Sequence, residues 1–239
     1  MFEPSLTNSL PWPQYRSAAE INSAMGRVYG NMSMAILTSM IVSYLVSTSP
    51  ALMQFLFTGI MKWLVLLAPL AAIFVIGMLM QSVTRSTAQL LLHGFAALMG
   101  LSFATIFVIF NMGSIITAFM GASVLFAVMS FYGYFTKRDL TSVGQFMFVG
   151  LIAIVIASLI NIVMASFWPG VIDNALVSSV ISAIAIVIFL GLTAYDTQKI
   201  REEVSQDNDG VAEIRGALIL YMDFINLFLS LLNLFGERK

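Results

Sequence analysis

Two aspartates stand apart from every other acid in this chain. Of its twelve carboxylate side chains, all but Asp196 and Asp223 fall in the N-terminal segment, in polar connecting stretches or at the extreme C-terminus. Asp196 closes one long apolar run and Asp223 lies inside the next. A charge near the middle of a bilayer costs at least about 3 kcal/mol, so such residues persist where they have a partner or a function. Taken alone, Asp196 is explained by a solvated ion pair with Lys199 at a helix end. Asp223 has no basic residue within a turn, and for it the functional reading is the stronger. The stretch that joins the two runs reads as a cytoplasmic loop, so both carboxylates belong to the inner half of the membrane. Two carboxylates about 4 Å apart, at an effective dielectric of about 20, repel by about 4 kcal/mol and contend for one proton. Such a pair is a pH switch, and once ionised it is a hard oxygen site suited to transient binding of calcium.

Asn226, Ser230 and Asn233 follow Asp223 at i+3, i+7 and i+10. At about 100° per residue the four fall within an arc of roughly 80°. A single polar stripe on an apolar helix must face other helices or a water-filled cavity, which predicts a central place for that helix and a pore-lining stripe. Ordinary helix–helix hydrogen bonding accounts for the stripe equally well. The other signals point to structure. His93, between Leu92 and Gly94, reads as a neutral packing histidine. Gly94 and Gly100 read as sites of close helix packing, and Pro69 as a kink. The acidic stretch 202–213 fails the spacing of a calcium-binding EF-hand and reads as a solvated loop.

These residues need a scaffold, and the composition names its solvent. The chain has 239 residues, 59% hydrophobic and 10% charged, with mean hydropathy +0.94. Soluble domains are about one quarter charged, so this is a lipid-embedded protein. Candidate spans of the roughly 20 apolar residues needed to cross are 29–48, 61–80, 88–110, 114–135, 145–168, 175–196 and 214–235. The runs are too long and too uniform for barrel strands, which predicts an all-α membrane protein with seven transmembrane helices. Ser47 to Pro50, Gln81 to Ser86, Thr136 to Ser142, Trp168 to Asp173 and 197–213 read as loops, and Asn111 to Gly113 as a tight turn. Residues 1–27 read as a retained cytoplasmic tail without signal-peptide features, and 28–239 as the transmembrane domain. Lysine and arginine placement favours an N-terminus inside: Arg16, Arg27, Arg85, Lys137, Arg138, Lys199, Arg201 and Arg215 then lie on the inner side, against Lys62, Arg238 and Lys239 outside. The formal net charge of −1 argues against a nucleic-acid partner. With no cysteine, thiolate chemistry and cysteine-held metals are excluded, and the single histidine, His93 in an apolar run, argues against a Ser-His-Asp triad or a histidine metal cluster.

Three segments carry a family resemblance. Gly191-Leu-Thr-Ala-Tyr-Asp-Thr-Gln-Lys-Ile200 and Leu220-Tyr-Met-Asp-Phe-Ile-Asn-Leu-Phe228 resemble the Bax inhibitor-1 family, whose members contain the transmembrane Bax inhibitor motif. Tyr132-Gly-Tyr-Phe-Thr-Lys-Arg-Asp-Leu140 resembles its bacterial members. The resemblance runs from about Ala24 to the C-terminus. It implies two layers of three helices around a central C-terminal helix, and a pH-sensitive calcium leak in a bacterial inner (plasma) membrane. It also implies that Asp196 and Asp223 are the sensor pair, with an arginine near the cytoplasmic end of the second helix engaged in the closed state. Arg85, about one turn from the expected place, is the candidate. No cofactor is implied; calcium enters as the permeant ion.

Two other functions are compatible with the residues. Some bacterial members of the family act on a membrane-anchored ATP-dependent protease, so a regulatory partner without transport is the first alternative. An intramembrane aspartyl protease is the second, since a carboxylate dyad can activate water. Against it, Asp223 sits in Tyr-Met-Asp rather than Gly-x-Gly-Asp, and no Pro-Ala-Leu motif is present.

Overall fold

The computed structural model describes residues 16–80, 82–167, 174–207 and 209–239; the connection expected at Trp168 to Asp173 lies outside them. Eight helices are described: α1 (Ala18–Ser47), α2 (Pro50–Phe57), α3 (Gly59–Leu79), α4 (Arg85–Ile109), α5 (Met112–Phe135), α6 (Thr141–Phe167), α7 (Asn174–Gln206) and α8 (Val211–Phe235). All but α2 are long and apolar enough to cross a membrane, which matches the seven expected spans. Two expectations are corrected. The first connection holds the short helix α2, where Ser49 caps the N-terminus and Pro50 supplies a φ already suited to the first helical position. The stretch 197–213 is not a loop, because α7 continues to Gln206 and α8 restarts at Val211. Of the tail expected at 1–27, the part from Ala18 onward is already α1, which opens on a capping box between Ser17 and Glu20.

α8 is the hub. Of its most apolar stretch 61% is buried inside the protein, against 6% for α6. α8 packs against α7, α5, α1 and α4; α1 also packs on α4, with α3 against α4, and α5 also packs on α7, with α6 against α7. Lipid-facing side chains such as Phe74, Phe131 and Phe146 remain exposed, as a hydrocarbon solvent permits. Close approach depends on particular glycines. A Cβ on Gly100 would stand 2.7 Å from the carbonyl oxygen of Ser39, so α1 and α4 meet backbone to backbone there. Gly94, expected to do the same, has no neighbour within 4 Å of the corresponding position.

Buried hydroxyls tie the hub to its neighbours. Ser39 of α1 donates to the Ala96 carbonyl of α4 at 2.7 Å and is held by the Tyr221 hydroxyl of α8 at 2.6 Å. Pro69, inside α3, has no N–H to give to the carbonyl four residues earlier, that of Val65. In lipid that carbonyl needs another donor, and the Ser102 hydroxyl of α4 supplies it at 2.7 Å. Ser102→Ala is therefore expected to destabilise the protein by about 1–3 kcal/mol, the range for orphaning a buried acceptor. Thermal unfolding in detergent would read this, and Pro69→Ala in the same background should restore most of the loss.

At the far end of α8 the chain turns back along the α4–α5 turn. Asn111 N–H donates to the Glu237 carbonyl at 3.1 Å and Lys239 N–H to the Ile109 carbonyl at 2.9 Å, flanking a bridge between Phe110 and Arg238.

Candidate functional site

The site lies where α7 and α8, the most extensively paired helices, are drawn together. Gly216 makes the approach possible: a Cβ there would meet Ile200 Cγ2 at 2.6 Å. On this seam the carboxyl groups of Asp196 and Asp223 are near enough to act on each other electrostatically. Asp223 is 5% exposed, and its Oδ2 is buried with no hydrogen-bond partner among the described residues. An ionised carboxylate only accepts, so two of them are bonded to each other only when one carries a proton. Asp196 is half-buried and lies ten residues before the end of α7, inside the helix rather than at its terminus. It makes no ion pair with Lys199 among the described residues. The Lys199 ammonium lies instead 5.9 Å from the Tyr195 ring centre. No group of three or more acids or histidines is placed to hold a metal among the described residues.

Arg85, expected near the aspartates, is engaged elsewhere. Its Nη2 lies 3.1 Å from Oε2 of Glu213, ten residues before Asp223 on α8 and so about 15 Å away along the axis. Glu213 also takes Arg27 through Nε at 2.8 Å and Nη2 at 2.6 Å, and Arg16 through Nη1 at 3.2 Å. The Glu213 side chain is 1% exposed, so it is no part of a solvated acidic loop. This knot joins the starts of α1, α4 and α8. Gly210, at φ +77°, makes the turn into α8 with the Arg85 guanidinium packed against it, a place where a side chain would be both strained and obstructed.

Two members of the polar stripe hydrogen-bond along their own helix. Asn226 Nδ2 donates to the Met222 carbonyl at 2.8 Å and Ser230 Oγ to the Asn226 carbonyl at 2.7 Å, both on their own helix. Asn233 is exposed near the end of α8. Asn226 and Ser230 are thus satisfied within α8, and neither hydrogen-bonds to a neighbouring helix among the described residues. His93 accepts or donates at Nδ1 with the Thr38 hydroxyl, 3.1 Å away, a packing role. In the α7–α8 linker, burial pushes the Asp207 carboxyl above its ordinary range. A hydrogen bond with Asp207 and the Val211 N–H hold Asp209 below it, and Asp209 thereby satisfies the first N–H of α8.

Seven apolar spans, six of them arranged with a seventh that is largely buried, define a polytopic helical membrane protein. The family model for the inhibitor of apoptosis-promoting Bax1 matches residues 21–239, and the chain belongs to that family, the Bax inhibitor-1 family. It is similar to the inner membrane protein YbhL of Escherichia coli (strain K12), 38% identical over 228 residues that cover 92% of this chain and 94% of the relative. It is also similar to uncharacterized proteins of Deinococcus radiodurans and Borreliella burgdorferi. Both are 34% identical, covering 94% and 91% of this chain and 95% and 93% of the relatives.

Proposed function

We propose that the protein is a proton-regulated calcium leak of the bacterial inner membrane, with its N-terminus in the cytoplasm and Asp196 and Asp223 as the sensor. The observation that carries this reading is the approach of the two carboxyl groups on the seam between α7 and the central helix. With one proton the pair is a hydrogen bond tying the two helices together. Without it the pair is two like charges that repel by about 4 kcal/mol at 4 Å and attract a cation. The charged groups that bear on Asp196 are Asp223, Lys199 and Glu203, and Asp223 is faced by Asp196 alone. One protonation event therefore changes both the force between the helices and the charge offered to a passing ion. Similarity to the inner membrane protein YbhL supports the location, and the lysine and arginine distribution supports the orientation.

The test is calcium flux into proteoliposomes across pH 5 to 8. The wild-type flux should vary with pH, and the variation should disappear in Asp196→Asn and in Asp223→Asn. A flux that ignores pH and is unchanged in both variants defeats the proposal.

A further inference from the structure

The seam between α5 and α8 opens, at the end of the bundle that carries the C-terminus, into a crevice of about 500 Å³. Its walls are mixed: Asn111, Ser114 and Thr117 come from the start of α5 and Glu237 from the C-terminal tail, with Gly121 and Leu231 beneath them. Ser114 accepts the Glu237 N–H at 3.0 Å, which fixes the tail along the rim. Hydroxyl, amide and carboxylate groups at the level of helix ends are groups that water occupies and hydrocarbon does not.

Below this crevice the seam is dry. Leu231 is eight residues beyond Asp223, about 12 Å along α8. The interval is filled by Phe119 and Phe126 of α5 and Phe224 and Phe228 of α8. Phe119 meets Phe224 edge-on at 5.4 Å and Phe228 at 6.1 Å, and Phe126 meets Phe224 at 5.7 Å. Leu231, Phe228, Phe224 and Phe126 are all buried. A stack of this kind is normally too tightly packed to move, but this one has somewhere to go. On its other side, between α1, α4 and α5, lies an apolar cavity of about 200 Å³ whose wall includes both Phe119 and Phe228. This recess is partly open at the surface and its lining is almost wholly apolar, so it can receive a swinging ring without displacing bound water.

We propose that the crevice is the water-filled entrance of the ion path and that Phe119, Phe224, Phe228 and Leu231 form its hydrophobic gate, opened when the Phe119 and Phe228 rings move into the adjoining cavity. The proposal deepens the leak reading and rests on it. It names as gate residues four side chains with no titratable group, distinct from the aspartates that sense the proton. Such constrictions block ions by excluding water rather than by filling the whole cross-section.

The chain has no cysteine, so single cysteines introduced into it report without background. In proteoliposomes, a positively charged, membrane-impermeant methanethiosulfonate should modify Thr117→Cys rapidly and leave Ile116→Cys, one residue away but facing the apolar cavity, unmodified. Phe224→Cys, at the deepest of the four gate positions, should be protected and should become reactive when Phe228→Ala is added. In flux measurements Phe228→Ala and, as a second variant, Phe119→Ala should each raise calcium leak by about tenfold, as expected when a dewetted constriction is opened to water. Equal reactivity of Ile116→Cys and Thr117→Cys, or full reactivity of Phe224→Cys with Phe228 in place, overturns the entrance and gate. Unchanged flux in both alanine variants, with wild-type leak intact, overturns the gate alone. Absence of flux in every protein, including the alanine variants, overturns the leak reading itself.

Discussion

Glu213→Ala is expected to lower the unfolding free energy by about 3–5 kcal/mol, the range for removing one partner from a buried ion pair. The reason is geometric. Glu213 is enclosed, and the three guanidiniums on it come from residues 128 to 197 positions away in the chain. Once the carboxylate is gone, Arg16, Arg27 and Arg85 face one another with nothing between them, and the starts of α1, α4 and α8 lose their common tie. Individual arginines should matter unequally. Arg27 grips both carboxylate oxygens, the geometry that makes arginine–carboxylate pairs strong. Arg27→Ala should therefore be the costliest of the three arginine changes. Arg16→Ala should cost roughly 1 kcal/mol or less, because two guanidiniums remain. Thermal unfolding of the purified variants in detergent ranks them. Equal losses for Arg16→Ala and Glu213→Ala would show that the knot is not what holds these helix ends.

The second large effect belongs to Gly133. A Cβ on this residue would stand 2.1 Å from the Ala194 carbonyl oxygen and 2.9 Å from its Cα, both backbone atoms of α7. No rotamer relieves a collision with backbone, so Gly133→Ala must push α5 away from α7, at the roughly 1–3 kcal/mol typical of overpacking or more. Ala194 is two residues before Asp196, so the same displacement should also distort the pH response of calcium flux. Gly94→Ala is the matched control. It has open space at the Cβ position, and alanine favours helix by up to about 1 kcal/mol over glycine, so its stability should hold or rise. A Gly133→Ala protein as stable as wild type would mean that α5 and α7 are not in backbone contact.

Much of this architecture was legible in the residues because lipid imposes a simple demand. Each crossing needs about 20 apolar residues, and seven stretches meet it. The two aspartates were legible for the same reason, since an acid inside an apolar run stands out by cost alone. What lay beyond reach were distances across the fold. Nothing near Glu213 in the chain marks it as buried, since its arginines arrive from α1, α4 and the segment before α1. Arg85 could be matched to a place in the family pattern but not to the carboxylate it meets. Glycine types alone did not separate Gly100, pressed against Ser39, from Gly94, which touches nothing. Two misses were avoidable. Ser49-Pro50 is a helix-start signature that announces α2. Residues 197–206 are rich in glutamine, lysine, arginine and glutamate, which suit a solvated helix at least as well as a loop.

The continuation of α7 has a mechanical meaning. Its 33 residues span about 50 Å, well beyond a hydrocarbon layer of about 30 Å. The helix is unbroken from the segment that holds Asp196 to its free end at Gln206. Near that end Arg201 donates to the Tyr134 carbonyl at 3.1 Å and Glu203 pairs with Arg215 at 2.8 Å. The projecting turns act as a rigid tiller moored to α5 and α8. Unbroken helix therefore joins those moorings to the turn that holds Asp196, with no loop between them.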